Sequence, residues 1–170
     1  VYMNLKRSFP EKPKKEIDTI AKRFYKHFAD LVFEALKLSS ISANELKKRM
    51  KIKNVEFIDE LFNQDKSVIS YLGHYGNWEW LAILPLILKH KVLTYYHTLS
   101  SGYFDLYMKK PRERFGIEAI DSHAAFKSLV TYDRQGIRTF TLMIGDQCPA
   151  KPSKKYWTNF LNQETPYLVG

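Results

Sequence analysis

Between Glu16 and Leu38, apolar residues recur at three- and four-residue spacing: Ile17, Ile20, Phe24, Phe28, Leu31, Val32, Ala35 and Leu36. That period predicts an amphipathic helix whose polar side carries Lys22, Arg23 and Lys26. Upstream, residues 1–16 are basic and punctuated by Pro10 and Pro13, a segment leading into the helix. Ser42, with Glu45 three residues on, makes a capping pattern and predicts a short helix over Ser42–Met50. A dense basic run overlaps its end and continues past it: Lys47, Lys48, Arg49, Lys51 and Lys53.

Beyond this point the pattern changes. Helical stretches are expected at Phe57–Phe62, Asn77–Leu88 (with Pro85 near its end), Gly102–Lys110 and Ala124–Arg134. Apolar strands are expected between them at Val68–Leu72, Val92–Tyr96, Ile117–Ile120 and Ile137–Ile144. Repeated alternation of this kind predicts an α/β protein, an αβα sandwich around a mostly parallel sheet, preceded by an amphipathic helical segment. Ligands of such sheets bind beyond the carboxyl ends of strands, where Gly73-His74 and Gly145-Asp146 fall.

Composition narrows the classes. The 170 residues suit a chain with a real core, and 45% hydrophobic against 26% charged residues excludes a disordered chain. Aromatics at 15% imply large apolar surfaces, in a core or facing lipid. The net charge of +9 favours an anionic partner: nucleic acid, an anionic membrane surface or an acidic carrier protein. One cysteine, Cys148, excludes a disulfide framework and a thiolate cage. The longest apolar run, Trp80–Leu88, is far short of the ~20 residues that cross a bilayer. The chain opens at Val1 and stops after an extended apolar stretch, so it reads as an excised piece, which leaves room for an anchor upstream.

The segment richest in chemistry is Tyr71-Leu-Gly-His-Tyr-Gly-Asn-Trp-Glu-Trp80. A strand ends, glycines permit a tight turn, and Asn77 is placed to open a helix. His74 in the turn and Glu79 in the first helical turn can fold toward one another. An imidazole is suited to take a hydroxyl proton near neutral pH, and a carboxylate on its other nitrogen fixes the tautomer. The bare spacing is weak. With 5 His and 18 acidic residues, about half a chance match is expected, so the weight lies in the setting at a strand end. For an isolated histidine the plainer reading is a structural one, as a helix cap is for Asn77 and packing is for Trp78 and Trp80.

His-Tyr-Gly-Asn-Trp-Glu, residues 74–79, resembles the His-x4-Asp/Glu block of glycerolipid-type acyltransferases, and in particular the form found in late lipid A acyltransferases. Asn4-Leu-Lys-Arg-Ser-Phe-Pro-Glu11, Arg112-Glu-Arg-Phe-Gly116 and Gly145-Asp146-Gln147 resemble further blocks of that family. The likeness runs from about Asn4 to Gly170 and is strongest over Val68–Gln147. It implies a basic helical segment over 1–50 and an acyltransferase core over 51–170, truncated at its carboxyl end. It implies His74 as base with Glu79 as partner, Arg112 or Arg114 holding an anionic group, and Asn77 and Asp146 at the site. The donor would be an acyl-carrier protein or coenzyme A thioester, a co-substrate rather than a cofactor, and no metal is expected. The acceptor would be a lipid A precursor or related lipid, at the cytoplasmic face of the inner membrane. Here the family's Phe-Phe-Gly-like segment is replaced by Asn159-Phe-Leu-Asn162.

Two other functions compete. The same His–Glu pair could hydrolyse the thioester with water as acceptor. A basic, aromatic nucleic-acid module would match the charge, but no such motif is present and the aromatics follow core periodicity. No nucleic-acid partner is therefore expected. Cys148 reads as inert, His97 and His123 take no role, and the absence of Gly-x-Ser-x-Gly argues against that class of serine hydrolase.

Overall fold

The apolar runs of the middle of the chain form a sheet because each is short, rich in β-branched or aromatic residues, and bounded by helices. The structure is a computed structural model that describes residues 1–97, 102–147 and 156–167. Cys148 lies outside the described residues. The chain divides into two compact units: residues 1–34 with 145–170, and residues 35–144.

The second unit holds four strands, β1 (Val68–Leu72), β2 (Lys91–Tyr96), β3 (Glu118–Asp121) and β4 (Thr139–Ile144), in the order β1-β4-β2-β3. All three neighbouring pairs are parallel, with Val68 and Val92 both level with Phe140, and Ala119 level with Thr94. Parallel strands need crossovers, which puts helices on both faces. One face buries Val92, Phe140 and Leu142 with Leu38, Ile41, Leu46, Trp80, Ile83 and Leu84. On this side lie α3 (Ala43–Arg49), α4 (Val55–Asn63), the helix carrying Trp80, and α5 (Gly102–Glu113), whose Asp105 accepts from Tyr96 at 3.4 Å. The other face is covered by α6 (Ala125–Arg134): Tyr95 Oη lies 3.2 Å from Ser128 Oγ, and Tyr132 Oη donates to Glu118 at 2.7 and 2.8 Å. The αβα layering expected from the alternation is thus present, and Ser42 caps α3 by accepting from Glu45 N at 3.2 Å.

One expectation about local structure changes. The helix after His74 is a nine-residue 3-10 helix, Trp78–Leu86, not an α-helix. Pro85 lacks the N–H that an α-helical turn would use, and the apolar residues run consecutively instead of along one stripe. Burial of Ala82, Ile83 and Leu84 in succession holds the tighter winding.

The first unit contains α1 (Tyr2–Ser8), most of α2 (Lys14–Lys37) and an antiparallel hairpin of β5 (Tyr156–Phe160) and β6 (Gln163–Tyr167). Neither α1 nor the hairpin was expected. Gln163 Nε2 donates to Ser8 Oγ at 2.9 Å and Asn162 Nδ2 to Ser8 O at 3.2 Å, which ties the hairpin turn to the end of α1.

At the amino end of the sheet, Lys91 Nζ meets Glu118 at 2.7 Å. Burial pushes the Glu118 carboxyl up, but bonds from Lys91 and Tyr132 outweigh it and hold it below its ordinary value. The bond to Glu118 raises Lys91 against partial burial. The lowered carboxyl stabilises the fold above the unfolded value of ~4.3 and loses that effect as pH falls through the folded value. The raised ammonium stabilises it below ~10.4 and loses that effect as pH rises through its folded value. The pair therefore contributes fully between about pH 5 and pH 10. Both side chains are over a third exposed, so its worth is under about 1 kcal/mol. In Glu118→Gln, urea midpoints should fall slightly at pH 7 and depend less on acid than in the wild type; an unchanged acid dependence would refute this.

Candidate active site

Two residues beyond β1, the chain turns sharply. Tyr75 N donates to Gly73 O at 2.8 Å, and Gly76 takes φ +60°, a conformation that side chains other than glycine adopt with strain. This turn places His74 at the carboxyl edge of the sheet, half-buried, with its ring against Trp78 edge-on at 4.7 Å between centroids. The indole limits the ring's freedom and removes water from one side. Asn77 precedes the 3-10 helix, but its side chain does not cap it. Its carbonyl accepts from Trp80 N at 3.2 Å instead.

Glu79 lies in the first turn of that helix with its side chain 14% exposed. Arg112, in the last turn of α5, grips it with both edges of the fork: Nε to Oε2 at 2.7 Å and Nη2 to Oε1 at 2.5 Å. A bidentate, half-buried pair of this kind fixes the plane of the carboxylate. A carboxylate has about four acceptor positions, so the grip leaves capacity for another donor. The bond to Glu79 raises Arg112 against the opposing effect of burial, so it stays charged at any working pH.

Arg114 does something different. Its Nη1 donates to the carbonyls of Leu38, at 2.9 Å, and Ile41, the turn between α2 and α3. Gly116 follows at φ +106°, and a Cβ there would meet Pro85 Cβ at 3.3 Å. The Arg-x-x-x-Gly block thus has a physical basis: one arginine grips Glu79, and the glycine lets the chain pass over the proline of the Glu79 helix. Replacing Arg114 with Met would leave buried carbonyls without a donor. Stability should fall by about 1–3 kcal/mol, read as a lower urea midpoint; an unchanged midpoint would show that the contact is dispensable.

The structure brings His74, Asn77, Glu79 and Arg112 to one sheet edge, with Arg114 at its border. Asp146 follows β4 by two residues, in the other unit. Also at the carboxyl ends of β2 and β3, His97 Nδ1 lies 2.9 Å from Ser122 Oγ, and the rings of His97 and His123 are 6.3 Å apart. His90 is structural: buried between Phe62 and Phe140, with Nε2 3.0 Å from Lys66 O. Among the described residues, no group of three or more His, Cys, Asp or Glu could hold a metal. The Glu79–Arg112 grip was not foreseen: its members stand 33 positions apart, and the arginine sits in a run that reads as a charged surface.

An α/β sandwich with an imidazole and a clamped carboxylate at one sheet edge fits the class of acyl-transferring enzymes. The family model described as bacterial lipid A biosynthesis acyltransferase matches residues 1–168, and the chain belongs to that family. Membership makes it an acyltransferase in the general sense. No curated protein matches the chain. Among the described residues, no helix is long and apolar enough to cross a membrane.

Proposed function

We propose that the chain moves a fatty acyl group from a thioester, on an acyl-carrier protein or coenzyme A, to a hydroxyl of a lipid A precursor or related lipid. The observation that supports this reading is the turn that sets His74 at the carboxyl edge of the sheet, against Trp78 and five residues before a carboxylate, Glu79, that Arg112 fixes. His74 takes the proton of the acceptor hydroxyl as its oxygen attacks the thioester carbonyl. Collapse of the tetrahedral intermediate expels the thiolate, which receives that proton from the imidazolium. The acceptor attacks directly, so no enzyme nucleophile is needed. Glu79 orients the imidazole and offsets its transient charge. Arg112 holds Glu79 through Nε and Nη2, and its Nη1 edge supplies two further donors for an anionic part of donor or acceptor. Arg114 is committed to backbone carbonyls, so of the two we assign the anion to Arg112.

The acceptor requirement tests the reading. Release of carrier thiol should rise many-fold when lipid acceptor is added. Equal release with and without lipid would make the protein a thioesterase. We place the reaction at an anionic membrane surface, the cytoplasmic face of the inner membrane, a setting that suits a lipid acceptor and a +9 chain.

A further inference from the structure

Helix α5 is tied to its neighbours at both ends. Its last turn carries Arg112, gripped onto Glu79 of the 3-10 helix. Its first turn carries Asp105, which accepts from Tyr96 Oη at 3.4 Å. Tyr96 is half-buried and ends β2, with its backbone level with Asp121 of β3, so the sheet sets its position. The same ring touches α5 one turn further on, with Lys109 Nζ 6.0 Å from its centre. Asp105, Lys109 and Arg112 follow one another at spacings of four and three residues, which is one side of a helix. The bond to Glu79 does most to raise Arg112 and burial opposes it; Tyr96 and Asp105 add to the rise, so both lie within electrostatic reach of the guanidinium.

We infer that Tyr96 is a positioning residue of the site: by holding Asp105 it fixes the roll and height of α5, and so the plane in which Arg112 meets Glu79. The inference deepens the mechanism proposed above and rests on it only for the claim that this plane matters to the rate. A helix held at one point can roll about it, and a helix held at two points on one side cannot. The fork tolerates little roll, because both of its N–H bonds must stay aligned with the carboxylate oxygens. Asp105 and Arg112 are two turns apart, about 10 Å along the axis, so the helix carries a roll at one end to the other. A plainer role is open to Tyr96, since a half-buried hydroxyl needs a partner wherever it lies. The two roles differ in what happens to Arg112 when the hydroxyl is removed.

The test is NMR of the full chain with isotopically labelled arginine, which reads the grip without turnover. The Arg112 Nε–H, assigned by its loss in Arg112→Lys, should exchange slowly with water in the wild type. In Tyr96→Phe, which keeps the ring and drops the hydroxyl, it should exchange about tenfold faster. The Nε–H of Arg138, held by Asp65 at 2.6 Å at the amino end of the sheet, should be unchanged. Asp105→Ala should behave like Tyr96→Phe, and Asp105→Asn, which still accepts, should be rescued to near the wild type. In Tyr96→Phe, kcat for transfer should fall by about tenfold with KM for thioester and lipid unchanged. Unaltered exchange at Arg112 in Tyr96→Phe would overturn the inference, as would equal acceleration at Arg112 and Arg138, or wild-type kcat despite faster exchange. A raised KM at constant kcat would overturn it too, by making Tyr96 a substrate contact. Normal turnover by His74→Ala, with the Arg112 signal responding as stated, would remove the proposed base and leave the positioning by Tyr96 in place.

Discussion

His74→Ala is expected to reduce acyl transfer by about 10²–10⁴-fold while leaving the fold in place. The size follows from the step affected. A lipid hydroxyl is a poor nucleophile until its proton leaves, and the proposed mechanism has no second base. The fold should survive because the ring sits on a turn at the sheet edge, while the core lies between β2, β4 and the 3-10 helix. Circular dichroism and the urea midpoint check the second half of the expectation. Transfer rates with labelled thioester check the first. Near-normal turnover in a folded variant would remove His74 from the chemistry.

Arg112→Met is expected to lower kcat on the order of 10²-fold, because the orienting carboxylate loses the partner that fixes its plane. With side chains 26% and 14% exposed, Arg112 and Glu79 are shielded enough for the loss to cost about 1.5–3 kcal/mol of stability as well. Arg112→Lys keeps the charge and discards the fork, so it should keep much of the stability and lose most of the rate. A double-substitution cycle separates orientation from direct substrate contact. If Arg112 acts through Glu79, the rate of Arg112→Met/Glu79→Gln matches that of Glu79→Gln alone. Effects that multiply would show that Arg112 works mainly on the substrate.

The parallel sheet was legible because buried strands leave a direct mark: Val68–Leu72 is a strand at the bounds its sequence predicts. Strand ends elsewhere moved by a residue or two. Helix α5 ran on through Pro111 to Glu113, which carries Arg112 into its last turn. The hairpin left no such mark. Every residue of β5 is exposed, so no alternation exists to read, and its turn uses Leu161 and Asn162 at positive φ in place of Asn-Gly. At the site, His74, Gly76 and Glu79 could be picked out because a strand end, a turn and a helix start are local features. The grip of Arg112 is a long-range contact, and local pattern carries no record of it. The exposure of the second half of α2 was equally hidden, since an apolar period marks a stripe without saying what covers it.

The most direct measurement is a quenched single turnover with labelled acyl thioester and lipid acceptor, counting label in lipid, in free fatty acid and on the protein. Direct attack assisted by His74 predicts label passing to lipid with none on the protein at any time. Label appearing on the protein before lipid, or as free acid at a rate indifferent to the acceptor, would contradict the account.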